Sequence, residues 1–521
     1  MTTHATIHEL LSHQVAERRD RPCFIFGDRQ WSYAEFAVEV ERVARALAAL
    51  GLRPGQRVAI LLPNCSEFLW TVFAMARTGG VFVPLNTAQT ADELQYLLAH
   101  SEARYLMTTD AFMPLIQRIR GDCPELEQVV TLDPHGGNGA VGWDEFIRGS
   151  ERRPALTDVS PDDLASIIYT SGTTDRPKGV MLEHFAFAFA PSHRARALGW
   201  TDQDRVLVVM PLFHVNALCH MTIAMMSVGG VVVLKERFSA SRFWDDVRTH
   251  GVTTSSIMQT IPRILLNLPQ DPADADTPLR QVMALLPPDV HLEFERRFGV
   301  TAVPSYSLTE DLLSVIGPLE ESARKLGSCG VAIAPEVHRL RICGEEGESI
   351  PPGQLGEIVK QSPAVMAGYY KNPEATAEAL RDGWLHTGDL GYLDQDGFLY
   401  FVDRKKDMIK RSGENIASAE VERVLNSHPL VAESAVVAVA DPIRQEEVKA
   451  CIVLADGASP EDLPPARLWE FCAGHLAPFK IPRYLDYRPE LPKTPSSKVQ
   501  KNLLREEGVA AGVIDRQQPA E

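Results

Sequence analysis

Residues 169–180 read Tyr-Thr-Ser-Gly-Thr-Thr-Asp-Arg-Pro-Lys-Gly-Val. Six of the nine residues from Ser171 to Gly179 are hydroxyl, glycine or lysine residues: Ser171, Gly172, Thr173, Thr174, Lys178 and Gly179. The apolar run Ala165–Tyr169 precedes them, the pattern of a strand opening into a small-residue loop. Such a loop turns backbone N–H groups and hydroxyls toward one point, and the lysine adds a compact positive charge, which together suit a polyphosphate. A Walker A loop needs Gly directly before its Lys and Ser or Thr directly after. Lys178 stands between Pro177 and Gly179, so the loop is not that of an ordinary P-loop ATPase.

Further along, four segments hold polar and charged residues whose order matters below. Val303-Pro-Ser-Tyr-Ser-Leu-Thr-Glu310 ends on a hydroxyl and a carboxylate. Gly383-Trp-Leu-His-Thr-Gly-Asp389 places an acid after a turn, and Arg404, Lys405, Lys406, Lys410 and Arg411 form a basic island. Leu491–Lys501 carries Lys498 in a Pro-Lys-Thr-Pro context. Taken singly, each also has a plain structural reading, as a turn, a capped helix start or a solvated basic stretch.

The elements that must position these residues alternate. Ser32-Tyr-Ala-Glu35 is a capping box opening a helix that ends near Gly51. Val58–Leu62, Val81–Pro84, Tyr105–Thr108 and Gln128–Leu132 read as strands. Helical segments Glu67–Ala76, Ala91–His100 and Phe112–Arg120 separate them. This alternation predicts parallel sheets with helices on their faces. After Gly397–Val402 comes a compact segment with helix Ala419–Ser427, strands Ala435–Ala440 and Lys449–Leu454, and a helix near Ala466–His475. The tail beyond Arg505 has no periodicity and reads as frayed.

The 521 residues exceed the size of one core, so two or more domains are expected. A formal charge of −17 argues against nucleic acid and anionic lipid as partners, and makes the basic island informative. The eight cysteines are scattered without Cys-x-x-Cys spacing, and the N-terminus has no signal-peptide pattern, which predicts a cytoplasmic protein. Val206–Leu234 lacks Asp, Glu, Lys and Arg, but Pro211, His214, Asn216, His220 and Gly229-Gly230 interrupt it. It reads as strand, loop, buried helix and strand rather than a membrane span.

In this order and over nearly the whole chain, the segments resemble the adenylate-forming superfamily of acyl-CoA synthetases, firefly-type luciferases and peptide-synthetase adenylation domains. The motifs Met210-Pro-Leu-Phe-His214, Phe238–Trp244, 283–289 and Lys410–Asn415 are closest to its carnitine/crotonobetaine-CoA ligase branch. The resemblance implies an α/β fold: a large N-terminal domain, 1–403, with sheets flanked by helices, and a small mobile α+β domain, 404–521. It assigns phosphate binding to Ser171, Gly172, Thr173, Thr174 and Lys178. Tyr306 would stack on adenine, Thr309 would contact the α-phosphate and Glu310 would hold Mg²⁺. Asp389, backed by Arg404, would take the ribose hydroxyls, and Lys406 would be the hinge. Gly413 and Glu414 would belong to the loop lining the pantetheine tunnel. His214 would border the acyl pocket, and Lys498 would be the catalytic lysine.

The implied reaction is ATP- and Mg²⁺-dependent activation of a carboxylic acid to acyl-AMP, with transfer to coenzyme A. An alternative is an enzyme that stops at the adenylate or hands the acyl group to a carrier-protein thiol or partner enzyme. Less favoured are luciferase-like oxidation and a nucleotide-binding regulator, the last motivated by Asp175 and Ser307, where the family usually has glycine. The segment Met283–Asp289 replaces a Gly-Gly-Ala stretch and should reshape the pocket. Leu212, Phe213, Leu285, Leu286, Leu308 and Leu312 favour a hydrophobic acid over a betaine, which needs an aromatic cage. A homodimer is left open.

Overall fold

The computed structural model describes residues 5–137, 139–152, 158–170, 176–257, 260–412, 414–493 and 498–517. Helix starts follow their caps. Ser32 accepts the Glu35 amide and the Glu35 carboxylate accepts the Ser32 amide, opening helix Tyr33–Ala49. Thr90 and Glu93 repeat this at helix Ala91–Ser101. Each box satisfies N–H groups that a helix start leaves without intrahelical partners. Helix Ser66–Thr78 stops at Gly79, whose φ of 70° is left-handed. Its Phe73 ring meets Phe36 of the first of these helices edge-on at 5.4 Å.

The expected parallel sheets are present. An eight-stranded sheet runs, in spatial order, Gly368–Tyr369, Lys178–Glu183, Leu164–Thr170, Val81–Pro84, Arg57–Ile60, Ala103–Thr108, Gln128–Thr131 and Val141–Gly142. From Leu164–Thr170 onward its pairs are parallel, whereas the first three strands are antiparallel. A seven-stranded sheet runs Thr301–Val303, Gln281–Met283, Thr254–Ser256, Arg205–Val208, Val231–Leu234, Pro22–Phe26 and Arg29–Ser32. Val81–Pro84 and Val231–Leu234 are buried at every position, as strands covered on both faces must be.

The uncharged stretch is strand Arg205–Val208, a π-helix Asn216–Ile223 continuing into helix Ala224–Ser227, and strand Val231–Leu234. No helix of the described residues is long and apolar enough to cross a membrane. The π-helical winding is not visible in the periodicity. Inside it the Thr222 hydroxyl donates to the carbonyl of Ala217, five residues back, at 2.8 Å.

The chain divides into two compact units. One comprises Met1–Arg341, Val359–Thr387 and Asp394–Tyr400. The other comprises Ile342–Ile358, Gly388–Leu393 and Phe401–Glu521. The second thus takes in two segments that precede the C-terminal stretch. Its sheet is ordered Glu414–Ile416, Ile409–Arg411, Gln445–Leu454, Tyr484–Tyr487, Ile514–Asp515, with Val431–Asp441 antiparallel beside Gln445–Leu454. Helices Ser418–Asn426 and Pro465–Ala473 contribute Val421, Leu425, Leu468 and Cys472 to its core.

The tail is a correction to the sequence reading. Ile514–Asp515 forms an antiparallel edge strand on Tyr484–Tyr487. Arg483 donates to both Asp515 oxygens at 3.0 Å and to Asp441 at 2.9 Å, and the fully buried Lys449 donates to the Gly508 carbonyl at 2.8 Å. One short strand and a few charge-assisted bonds hold the tail, and neither device leaves a periodic pattern. Asp515→Ala is expected to lower the stability of this unit by about 2 kcal/mol, read as a lower denaturant midpoint.

Candidate active site

Thr170 and Lys178 are paired residues of two antiparallel strands, so the loop between them leaves one strand and returns into the next. Ser171, Gly172, Thr173, Thr174 and Asp175 lie outside the described residues. Arg176 stacks its guanidinium 5.1 Å from the centre of the Tyr96 ring.

Lys178 is half-buried, and its Nζ lies 5.0 Å from the centre of the Tyr369 ring. Tyr369 occupies the neighbouring strand, and its hydroxyl donates to Glu310 Oε1 at 3.0 Å. Burial, and then the adjacent Glu310 carboxylate, push the Tyr369 phenol well up, so it remains a protonated donor at neutral pH. Sheet register therefore joins two sequence motifs through a residue assigned no chemistry from the sequence. The Glu310 carbonyl accepts the Met366 amide at 2.8 Å, so segment 362–369 lies alongside it. Thr309 and Glu310 are half-buried. Tyr306 is buried in a small antiparallel sheet with Val315–Ile316 and Val331–Ala332, and Lys360 Nζ stands 5.8 Å from its ring.

His214 is half-buried in a turn closed by its amide on the Pro211 carbonyl at 3.1 Å, just before the π-helix. Asn64 pins this turn: its amide nitrogen donates to the carbonyls of Met210 and Lys235, each at 3.0 Å, and its oxygen accepts the Leu212 amide at 2.8 Å. π-Helical turns recur at functional sites because they re-aim side chains.

Near Cys219 and His220 of the π-helix lies a group the sequence reading passed over. Arg194 is fully buried, and its Nη1 donates to Ser314 Oγ at 2.9 Å. Among the described residues no carboxylate pairs with it. Burial lowers it to about 10, so it stays charged at neutral pH. The last turn of helix His184–Ala197 holds two arginines, Arg194 and Arg196, and only the fold shows that Arg194 is the buried one.

In the second unit Asp389 is buried with Arg404 Nε 3.5 Å from its Oδ1. Asp403, next in the chain, accepts the Ser418 hydroxyl at 2.8 Å and the Ala419 amide at 3.2 Å, so it caps helix Ser418–Asn426 and fixes where Arg404 begins. The basic island is more neutralised than its sequence suggests. Lys405 pairs with Glu357 at 3.1 Å and Arg411 with the buried Glu447 at 2.7 Å, whereas Lys406 and Lys410 are exposed. Arg411 pairs with Glu414 in antiparallel register. Ser412 is left-handed at φ 52°, Glu414 is exposed, and Gly413 lies outside the described residues.

Lys498 is exposed beside Val499, which bridges to Lys493, and Val499 packs on the cluster holding Leu491 and Leu504. Two further residues missed from the sequence are Asp311, the residue after Glu310, and Lys360, which form a buried pair at 2.9 Å.

The profile of AMP-binding enzymes matches residues 11–370, and that of the AMP-binding enzyme C-terminal domain matches residues 420–498. The chain belongs to the AMP-binding enzyme family. It is 36% identical over 490 residues to the crotonobetaine/carnitine–CoA ligases of Salmonella heidelberg and Salmonella typhimurium, covering 92% of this chain and 93% of each relative. Its fold matches an anthranilate CoA ligase in complex with anthranoyl-AMP at a TM-score of 0.88 and 26% identity, over 97% of this chain and 98% of that one. It also matches the o-succinylbenzoate CoA synthetase of Bacillus subtilis in complex with its acyl-adenylate intermediate, at 0.82 and 32%, over 95% and 97%. A third likeness is ATP-bound MatB of Rhodopseudomonas palustris, at 0.86 and 29%, over 96% and 98%.

Proposed function

We propose that this ATP- and Mg²⁺-dependent carboxylate–CoA ligase acts on a hydrophobic, uncharged-tailed acid, with Lys178, Tyr306, Thr309, Glu310, Asp389, Arg404 and Lys498 serving its nucleotide chemistry. The observation carrying the assignment of residues is the chain Lys178–Tyr369–Glu310, which joins the phosphate-loop and Glu310 motifs through one phenol.

In the first half-reaction a carboxylate oxygen bonds to the α-phosphorus of ATP and pyrophosphate leaves. In the second the CoA thiol, losing its proton, bonds to the acyl carbon and AMP leaves. Glu310 is a hard oxygen donor aimed by Tyr369, which fits Mg²⁺, an ion usually held by one or two carboxylates plus substrate phosphates. When bound, Mg²⁺ supplies charge neutralisation on the phosphates. Tyr306 and Asp389 hold the nucleoside, and Lys178 attracts the phosphates. Two anions must meet, so a cation between them is required. Such a contact at 4 Å is worth about 1 kcal/mol in water and about 4 kcal/mol at an effective dielectric of 20. Lys498 therefore acts once water is excluded, and the second unit is proposed to be mobile enough to deliver it and then withdraw it in favour of the loop around Gly413 and Glu414, with Lys406 as hinge.

The choice of acid follows the apolar residues that the sequence offers for the acyl pocket. Leu212 and Leu312 are buried in one core cluster, against which Phe213 and Leu308 pack, and Leu286 is buried in a second. The unpaired charge of Arg194 behind Ser314 disfavours a cationic tail. Crotonobetaine and carnitine are named for the relatives, and this chain is proposed to differ from them. A cytoplasmic setting is part of the reading, in keeping with eight free, buried thiols.

Hydroxylamine trapping of activated acyl groups, run over a panel of apolar acids and betaines, tests the proposal. Apolar acids are expected to give hydroxamate and, with CoA, AMP and thioester. Hydroxamate from betaines alone would overturn the acid assignment. AMP release unaffected by CoA would move the reading to an adenylation-only enzyme.

A further inference from the structure

Directly after Glu310 the chain buries a second acid against a lysine. Asp311 and Lys360 have side chains 0% exposed, with Lys360 Nζ 2.9 Å from Asp311 Oδ2. Lys360 sits in strand Gly356–Gln361, and its Nζ also donates to the Leu313 carbonyl at 2.8 Å and faces the Tyr306 ring at 5.8 Å. Asp311 Oδ1 accepts the Leu313 amide at 3.0 Å and the Ser362 hydroxyl at 2.7 Å, and Ser362 Oγ accepts the Ala364 amide at 3.1 Å. Asp311 forms a β-bridge with Val365, and the Leu312 amide donates to the Ala364 carbonyl at 3.3 Å.

Stability is a weak reason for such a pair, because well-packed apolar residues of similar volume are often as good or better. What an ammonium adds is direction. One buried charge fixes the Asp311 carboxylate, the Leu313 carbonyl and the face of Tyr306 together. Tyr306 and Glu310 flank this hub, Glu310 one residue from Asp311, and the same segment 362–369 that holds Asp311 also supplies Tyr369 to the Glu310 carboxylate. A change of the hub thus reaches Glu310 from both of its neighbours.

We propose that Lys360 and Asp311 are positioning residues that hold Glu310 and Tyr306 in register, and so set how well the site takes ATP with Mg²⁺. This rests on the ligase reading above. The test is acid-dependent exchange of labelled pyrophosphate into ATP, titrated with Mg²⁺ and with ATP, on full-length protein, beside a thermal melt. Ser362→Ala removes one hydrogen bond and no charge. It is expected to melt near the wild-type temperature while the Mg²⁺ concentration for half-maximal exchange rises several-fold.

The double variant Lys360→Met/Asp311→Leu leaves no unpaired charge and remains informative where either single change prevents folding. It is expected to melt at or above the wild-type temperature yet need about tenfold more Mg²⁺ and ATP, since small misplacements of reacting groups weigh heavily on rate. A double variant with wild-type Mg²⁺ and ATP dependence would overturn the proposal and leave the ligase reading standing. A wild-type protein unable to catalyse exchange with any acid would overturn both.

Discussion

Lys498→Ala is expected to slow acyl-adenylate formation by about 10²–10³-fold, equivalent to about 2.7–4 kcal/mol of transition-state stabilisation. The loss should be confined to the first half-reaction. There, a carboxylate approaches a phosphorus ringed by negative oxygens, and a preorganised cation lowers the barrier. In the second, a thiol attacks an acyl carbon and AMP departs, with no comparable pair of anions to bring together. Pyrophosphate exchange should therefore fall, while consumption of synthetic acyl-adenylate by CoA should stay near the wild-type rate. The side chain is exposed on an anchored segment, so the melting temperature should hardly move, in line with surface substitutions within about 0.5 kcal/mol. Retained exchange in this variant would remove the lysine from the chemistry. Equal loss in both half-reactions would point to binding instead.

Acidification from pH 6.5 to 5 is expected to cost the first unit about 5 kcal/mol of stability. Three buried histidines carry this effect. Burial, the largest cause for each, lowers His184 to about 4, His220 to about 3 and His338 to about 4, with Arg194 adding to the shift at His220 and Lys360 at His338. In the folded chain all three stay neutral through this range, whereas in the unfolded chain each takes up a proton near its ordinary value of about 6.5. Stability is thus complete well above pH 6.5 and is lost as pH falls through it toward the folded values, at a slope that approaches about 1.4 kcal/mol per histidine per pH unit. Tryptophan fluorescence reports the transition, because Trp31, Trp70, Trp200 and Trp244 all lie in this unit. His184→Phe should reduce the slope by one histidine's share. A denaturant midpoint that stays flat between pH 7.5 and 5 would contradict the assignment of these rings as buried and neutral.

Much of the local structure was legible because its causes lie close together in the chain. Ser32 and Glu35 cap one another across three residues, and Gly79 ends a helix by its own backbone freedom. Runs such as Val231–Leu234 declare a strand covered on both sides. The π-helix after His214 was not legible, since its residues remain compatible with an ordinary buried helix. The tail beyond Arg505 was misread because its partners, Arg483 and Lys449, lie in distant segments and impose no period on it.

For the candidate site, residue types and loop context marked out the Lys178 loop as suited to phosphate, while the roles of Glu310, Asp389, Arg404 and Lys498 came from the resemblance to adenylate-forming enzymes. Tertiary structure decided what stands beside them. Tyr369 links Lys178 to Glu310 only because its strand pairs with Lys178–Glu183, and Lys360 meets Asp311 only because their segments pack side by side. Caps and periodicity act over three or four residues and can be read along the chain. A hydrogen bond or ion pair between remote segments depends on sheet order and register, which many separate contacts set together.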